Sequence, residues 1–319
     1  MQDELCRCAS GGIVWGLTGA LGIGLPPVVH YGSDEMKRDV VRPCLLGEKC
    51  ISLAVSEPTA GSDIAGLKTL ASEDGDYYII SGTKKWITGG TFADYFTTAV
   101  RTGGEGSGMG GISLILIPSG LPGVHVKAMK CMGGQGSGTA LIEFDRVRVP
   151  KNNFICNVTG LLQNFVTERL GLAVQANRFA RVCLQESIEY ARRRKVFGKA
   201  LLEQPVVRAK LAESARMIDA GQAYIESLAY RLTSAEQDEA GFMGAILAMG
   251  ADAMLCKVNS TKTFDICARY AAHIHGGNAY VRGNKIENLY RHVLSLSIPG
   301  GSEDVLIDAA ARLSMQNKL

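Results

Sequence analysis

At 319 residues, with 46% hydrophobic and 20% charged residues, the chain has an ordinary globular composition and enough length for two or three domains. A formal charge of +3 is too slight for a nucleic-acid footprint, and no basic arm interleaved with aromatics is present. The nine cysteines form no CxxC pair and no Cys/His array, so no metal site is expected and the thiols read as reduced, mostly buried and intracellular.

The first apolar stretch, from Gly11 to Val29, carries six glycines, ends in Pro26-Pro27 and follows acidic Asp3 and Glu4. That pattern predicts a glycine-rich buried helix ending at the prolines rather than a signal peptide or membrane span, and no membrane partner. A turn at Tyr31-Gly32-Ser33-Asp34 then leads into a second helix near Glu35, with Asp34 as its N-cap. From Ile51 the spacing turns β-like, with runs at Ile51–Val55, Tyr77–Ser81, Phe96–Val100, Ile112–Ile117 and Ala140–Phe144 separated by glycine-rich turns. No helices intervene, so an antiparallel sheet or barrel is expected. Beyond Val158 the apolar spacing is helical nearly to the end, as in a helix bundle. The fold class is α+β, divided at 1–50, 51–155 and 156–319.

Four segments carry candidate chemistry. Ala54–Asp63 (AVSEPTAGSD) follows a strand and offers several hydrogen-bonding groups, which serve either turn geometry or a ligand. Lys85–Gly90 (KWITGG) sets an aromatic plane two residues from a hydroxyl, reading either as a core tryptophan or as a cover for a flat heterocycle. Arg192–Lys199 closes a long helix, where cations suit the helix dipole. His273 and His275 precede Gly276-Gly277, but an i, i+2 pair does not share a helical face as metal ligands would.

Taken together, VSEPTAGSD and KKWITGG resemble the flavin-binding strand motifs of the acyl-CoA dehydrogenase family. The resemblance implies FAD, with Val55 and Ser56 meeting the flavin ring and Trp86 and Thr88 covering its face and its N5 edge. It places Ser62 near flavin phosphate and thioester, and lets the backbone approach closely at Gly61 and Gly90. The segment RRRKVFGKALLEQP is similar to one that reaches the FAD pyrophosphate held by a neighbouring subunit. That carries over Arg194 and Phe197 and implies a homo-oligomer, dimer or tetramer; Val196 stands where many members have Thr, which removes a hydroxyl contact. HIHGGNA resembles a Gln-x-x-Gly-Gly segment packed on FAD across the dimer interface, carrying over Gly276 and Gly277 with His273 in place of Gln. Ser302 is the last cofactor contact implied.

The family reaction takes an α-proton from an acyl-CoA thioester while the β-hydrogen leaves as hydride to flavin N5, and passes electrons to an electron-transferring flavoprotein, as in fatty acid β-oxidation. A desolvated carboxylate is therefore required. Gly300 occupies the position where many members carry that Glu, and Glu303 and Asp304 read as groups at a helix start. Long-chain and isovaleryl-type members place the base in a Glu-Arg pair, here Glu168-Arg169, with Glu168 on the helical stripe of Leu161, Phe165 and Leu172. Glu168 is the expected base, Ser62, Arg169 and Gly300 are expected at the substrate, and Gly300 keeps a backbone N–H for the thioester carbonyl. A carboxylate returned to position 300 is expected to restore some activity to a Glu168→Gln chain, with Pro299 crowding it.

Relatives carry further helices before the segment equivalent to Leu5, so residues 1–50 resemble the remnant of an N-terminal helical domain. An uncovered apolar face on Gly11–Leu25, with weak FAD binding or activity, is then expected. The alternatives are a related flavoprotein with oxidase or nitroalkane-oxidase-like chemistry and an inactive truncated paralogue. The mitochondrial matrix and the peroxisome both fit, Asn317-Lys318-Leu319 being loosely similar to a Ser-Lys-Leu tail.

Overall fold

A computed structural model describes residues 1–235 and 241–316; Asn317-Lys318-Leu319 lies outside the described residues. The chain forms two compact units, one of Gly12–Cys131 with Gln135–Phe165 and one of Met1–Gly11, Met132–Gly134 and Val166–Leu319. Residues 1–50 do not stand as a unit of their own: Leu25, Val28, Met36, Val40, Val41 and Cys44 share one core with Ile51, Leu114 and Leu116.

The N-terminal segment is a series of short helices: α1 (Gln2–Leu5), α2 (Gly11–Gly19), α3 (Pro26–Tyr31), α4 (Asp34–Met36) and α5 (Arg42–Leu45). The helical run from Gly11 continues through Gly24 and stops just before the prolines, as expected, and the prolines then open a further helix. Pro26 and Pro27 occupy the first turn of α3, where a missing N–H costs nothing, and Ala20–Gly24 continues α2 as a π-helical segment. The N-cap also moves by one residue, because the Ser33 hydroxyl accepts the Met36 N–H at 3.2 Å while Asp34 already lies inside the first turn. Ile13 and Leu17 on α2 are exposed. Among the described residues no single helix is long and apolar enough to cross a membrane; α2 and α3, bent by 43°, pass together on length and composition only.

The sheet holds eight strands in the order β6-β7-β3-β2-β4-β5-β8, with β1 beside β4. They are β1 (Ile51–Ala54), β2 (Leu70–Asp74), β3 (Tyr77–Ile87), β4 (Tyr95–Arg101), β5 (Ile112–Pro118), β6 (Val124–Ala128), β7 (Ala140–Pro150) and β8 (Phe154–Asn157). Pairing is antiparallel as expected, except that β1 runs parallel to β4 and Leu70 of β2 pairs with Arg101 in parallel. The five expected runs all fall on strands, and β2, β6 and β8 are added to them. β2 and β6 escaped the pattern because each leaves most of its side chains in solvent, so alternation is lost. One face buries Ile80, Phe96, Ile115, Ile142 and Phe144.

Helix α6 (Val158–Arg193) follows, and its stripe of Leu161, Phe165 and Leu172 is buried as the 3.6-residue spacing requires. A two-stranded hairpin of β9 (Lys195–Val196) and β10 (Lys199–Ala200) turns the chain into α7 (Pro205–Ala235), then α8 (Gly241–Ala248), α9 (Gly250–His275), α10 (Gly277–Tyr280), α11 (Lys285–Ser297) and α12 (Glu303–Gln316). In the helical unit α9 packs on α7, α11 and α12, and Ala173, Ile225, Leu228 and Cys256 form a shared core. All nine cysteines are free and six are buried, which accounts for them as core residues.

Candidate active site

In the sheet unit, the two motifs meet. The Lys85 N–H donates to the Ser56 carbonyl at 2.9 Å, and the Lys84 ammonium donates to the Val55 carbonyl at 2.9 Å. The cause is a break in the β3–β7 register between Lys84 and Ile87, which takes Lys85 and Trp86 out of the ladder. An extra residue in one strand bends it and re-aims a side chain. Trp86 accordingly sits at φ +63° with half its surface exposed, the Lys85 ammonium 4.8 Å from its ring centroid. A core tryptophan would do neither. Thr88 is half-buried, Val55 is buried, and Ser56 is half-buried beside it. Gly61 and Ser62 are exposed, and a Cβ at Gly61 would meet no atom within 4 Å, so a ligand can approach the backbone there. Gly90 differs from expectation: a Cβ there would lie 2.8 Å from Ala140 Cβ, so the close approach it permits is to β7.

Beneath this loop lies a pair that motif reading passed over. Lys84 and Glu57 are buried at 0% and 3% exposure, 2.8 Å apart. Glu57 also accepts the Thr69 hydroxyl at 2.5 Å and the N–H groups of Thr69 and Lys68 at 2.9 and 2.7 Å. Burial raises the proton affinity of the Glu57 carboxyl, but Lys84 and these donors outweigh it and the net shift is downward. Burial outweighs the pairing at Lys84 and brings it down to about 8. The signal was present in β3, where Ile80 and Lys84 fall on one face: a lysine on a buried face needs a partner.

In the helical unit, Arg194 follows the last turn of α6 and is exposed. Phe197 is 96% exposed at φ +50°, and Gly198 follows at φ +78°. Two successive positive φ values form the tight loop that hairpins favour, but a bulky aromatic seldom takes the first of them. Gly276 ends α9 at φ +59°, a conformation that suits glycine, and Cβ atoms at Gly276 and Gly277 would meet nothing within 4 Å. His273 is exposed, and Ser302 is half-buried just before α12. Among the described residues no cluster of His, Cys, Asp and Glu could hold a metal ion.

The same unit brings Glu168, Arg169 and Gly300 together. The Arg169 guanidinium donates to the Gly300 carbonyl at 2.8 Å. A Cβ built on Gly300 would lie 3.9 Å from Glu168 Oε1, so side chains from these two positions converge on one place. Part of Glu168 stays accessible, yet the atoms packed around its carboxyl strip it of water. Burial lifts its pKa to about 7, against the downward pull of Arg169 and Lys257. A carboxylate in that range is poised to accept a proton near neutral pH. Glu303, at the start of α12, accepts the Thr261 hydroxyl at 2.6 Å. Lys257 was also missed, although it falls on the buried stripe of α9 with Ala253, Ser260 and Phe264.

Comparison with known proteins follows the same division. Residues 52–147 match the acyl-CoA dehydrogenase middle domain and residues 159–315 match the acyl-CoA dehydrogenase C-terminal domain. The chain belongs to the acyl-CoA dehydrogenase family. The acyl-CoA dehydrogenase apdG of Emericella nidulans is 40% identical over 98% of this chain and 72% of its own length. A 3-(aryl)acrylate reductase of Clostridium sporogenes is 31% identical over 88% of this chain and 72% of its own. The crystal structure of an acyl-CoA dehydrogenase from Geobacillus kaustophilus superposes with a TM-score of 0.90 at 28% identity, covering 98% of this chain and 80% of that one.

Acyl-CoA dehydrogenases are FAD-dependent flavoproteins. The residues of this chain fit that cofactor. A half-exposed Trp86 on outlying backbone, open space above Gly61, an exposed Phe197 at positive φ and open glycines at 276 and 277 are features for which the protein's own packing gives no use. Arg194 adds planar donors suited to phosphate.

Proposed function

We propose that this acyl-CoA dehydrogenase oxidises an acyl-CoA thioester between Cα and Cβ, with Glu168 as the base that accepts the α-proton. The observation that carries this reading is the Glu168 carboxyl itself: desolvated, with its pKa lifted to about 7, and converging with position 300. Bound FAD supplies a hydride acceptor at N5. Val55, Ser56, Gly61, Ser62, Trp86 and Thr88 would hold it on the sheet unit, with Ser302 as a further contact, while Arg194, Phe197, His273, Gly276 and Gly277 would contact it from the helical unit of a neighbouring subunit.

Glu168 holds the proton that leaves Cα. Arg169, anchored on the Gly300 carbonyl, keeps a positive charge beside the carboxylate and so favours the ionised form needed before the step. Gly300 contributes a backbone N–H toward the thioester carbonyl, where negative charge develops as the proton departs. Electrons leave to an electron-transferring flavoprotein; rapid reoxidation by oxygen in stopped flow would instead mark oxidase chemistry. One relative is named a 3-(aryl)acrylate reductase, and in the direction of reduction a carboxyl at Glu168 could return a proton to Cα.

The test is Glu168→Gln. The variant should bind FAD normally and show no flavin bleaching with acyl-CoA under anaerobic conditions, because an amide cannot take the proton. Near-normal bleaching would sink the assignment.

A further inference from the structure

Gly300 at φ +68° and Gly301 at φ +103° form a turn between α11 and α12 whose backbone favours glycine at both positions. Two glycines in a row leave no side chain to stiffen the turn, so what fixes its conformation must bind its carbonyls. Two of them, and the last carbonyl of α11, are held by cations. Arg169 takes the Gly300 carbonyl, and the Lys257 ammonium takes those of Ser297 and Gly301 at 2.6 and 2.9 Å. Ser297 is the last residue of α11, where the carbonyls of a helix end attract positive charge.

Lys257 itself is fully buried on α9, and its bonded partners are neutral carbonyls rather than a carboxylate. A lysine is almost never wholly buried without compensation for its charge. The negative groups acting on it are Glu303 from α12 and Glu168 from α6. Seen from Glu168, the cations are Arg169 on its own helix and Lys257 on α9, while Glu303 is tied by its bond to Thr261. An anchor for two carbonyls could be neutral. A cation in this place is explained by what it does to the carboxylate.

We propose that Lys257 is a positioning residue for the base, clamping the turn on which Arg169 is anchored and serving as the second cation that keeps Glu168 ionised. The inference rests on Glu168 as the base. Burial and the neighbouring charges leave Lys257 with a pKa of about 8, so it carries its charge in the range where Glu168 changes state.

The experiment compares FAD-loaded wild type, Lys257→Arg and Lys257→Gln. Two readings are taken against pH: turnover, and the infrared carbonyl band of protonated Glu168 without substrate, identified by its loss in Glu168→Gln. Gln keeps a donor for the turn and removes the charge, and flavin content and thermal melts report whether the fold is retained. Glutamine should move the acid-side midpoint upward by at least about half a pH unit in both readings, whereas arginine should leave it near the wild-type value. A shared midpoint in all three folded proteins would overturn the proposal. Full turnover in Glu168→Gln would overturn the base assignment instead, whatever Lys257 does.

Discussion

At the scale of single residues, the site is a contest between burial and charge around one carboxyl. Burial raises Glu168 and two cations restrain it, leaving the pKa at about 7. Only the ionised form can accept a proton, so activity should be present above that pH and fall as pH drops through it. The pH dependence of kcat/KM, which reports the free enzyme, should show an acid limb with a midpoint near 7; a limb near the ordinary carboxylate range would show that Glu168 is not desolvated there. The sequence suggested that a carboxylate at position 300 would substitute for Glu168, hindered by Pro299. The obstacle lies elsewhere. Gly300 has φ +68°, where a non-glycine residue is strained, and its Cβ would meet Leu172 Cδ1 at 2.8 Å. Gly300→Glu should therefore lower the melting temperature and fail to restore flavin bleaching to Glu168→Gln, unless Leu172→Ala makes room. Restoration without that second change would show that the turn yields more easily than its backbone implies.

Among the elements, those with a strong apolar period were legible from sequence and those shaped by polar contacts were not. β4, β5 and the 36-residue α6 follow from alternation and 3.6-residue spacing. The prolines were read as a helix stop, and the run does end before them at Gly24; the helix they open was not read, because proline marks a start as readily as a stop. Lys85-Trp86 reads as the end of a short strand, but its continuity with Tyr77–Ser81 through a buried Lys84 was not legible, because the partner of Lys84 is Glu57, distant in sequence and inside a loop. That pair ties the 55–60 loop to β3, so it positions the backbone of Val55 and Ser56. Removing one member leaves the other charge buried and uncompensated, at a cost of about 3–5 kcal/mol. Lys84→Met should lower stability by that amount in urea unfolding and reduce FAD retention, while Lys84→Met with Glu57→Gln should recover much of the loss. A double variant no better than the single would show that the Thr69 and Lys68 donors, rather than the charge pair, hold the loop.

For the whole molecule, the candidate site was legible as a list of motifs, but not as an assembly. Arg194, Phe197, His273, Gly276 and Gly277 are exposed on the helical unit, and the resemblance gives them a role only if a second copy brings its FAD to them. Phe197 allows that proposal to be tested with opposed signs. Its φ of +50° costs about 1–2 kcal/mol for a non-glycine residue, whereas asparagine is favoured before glycine in such a loop. If the ring served only the hairpin, Phe197→Asn should be neutral or stabilising in every measurement. If it serves a cofactor held by a neighbour, the flavin-free variant should melt at or above the wild-type temperature, yet lose FAD on gel filtration, more so at low protein concentration. Arg194→Ala should lose FAD in the same way without any gain in stability, since it gives up a charge-assisted phosphate contact worth on the order of 1.5–3 kcal/mol, roughly 10- to 150-fold in affinity. Wild-type flavin content in both variants at every concentration would mean that this face is ordinary solvent-exposed surface and that the cofactor is held within one chain.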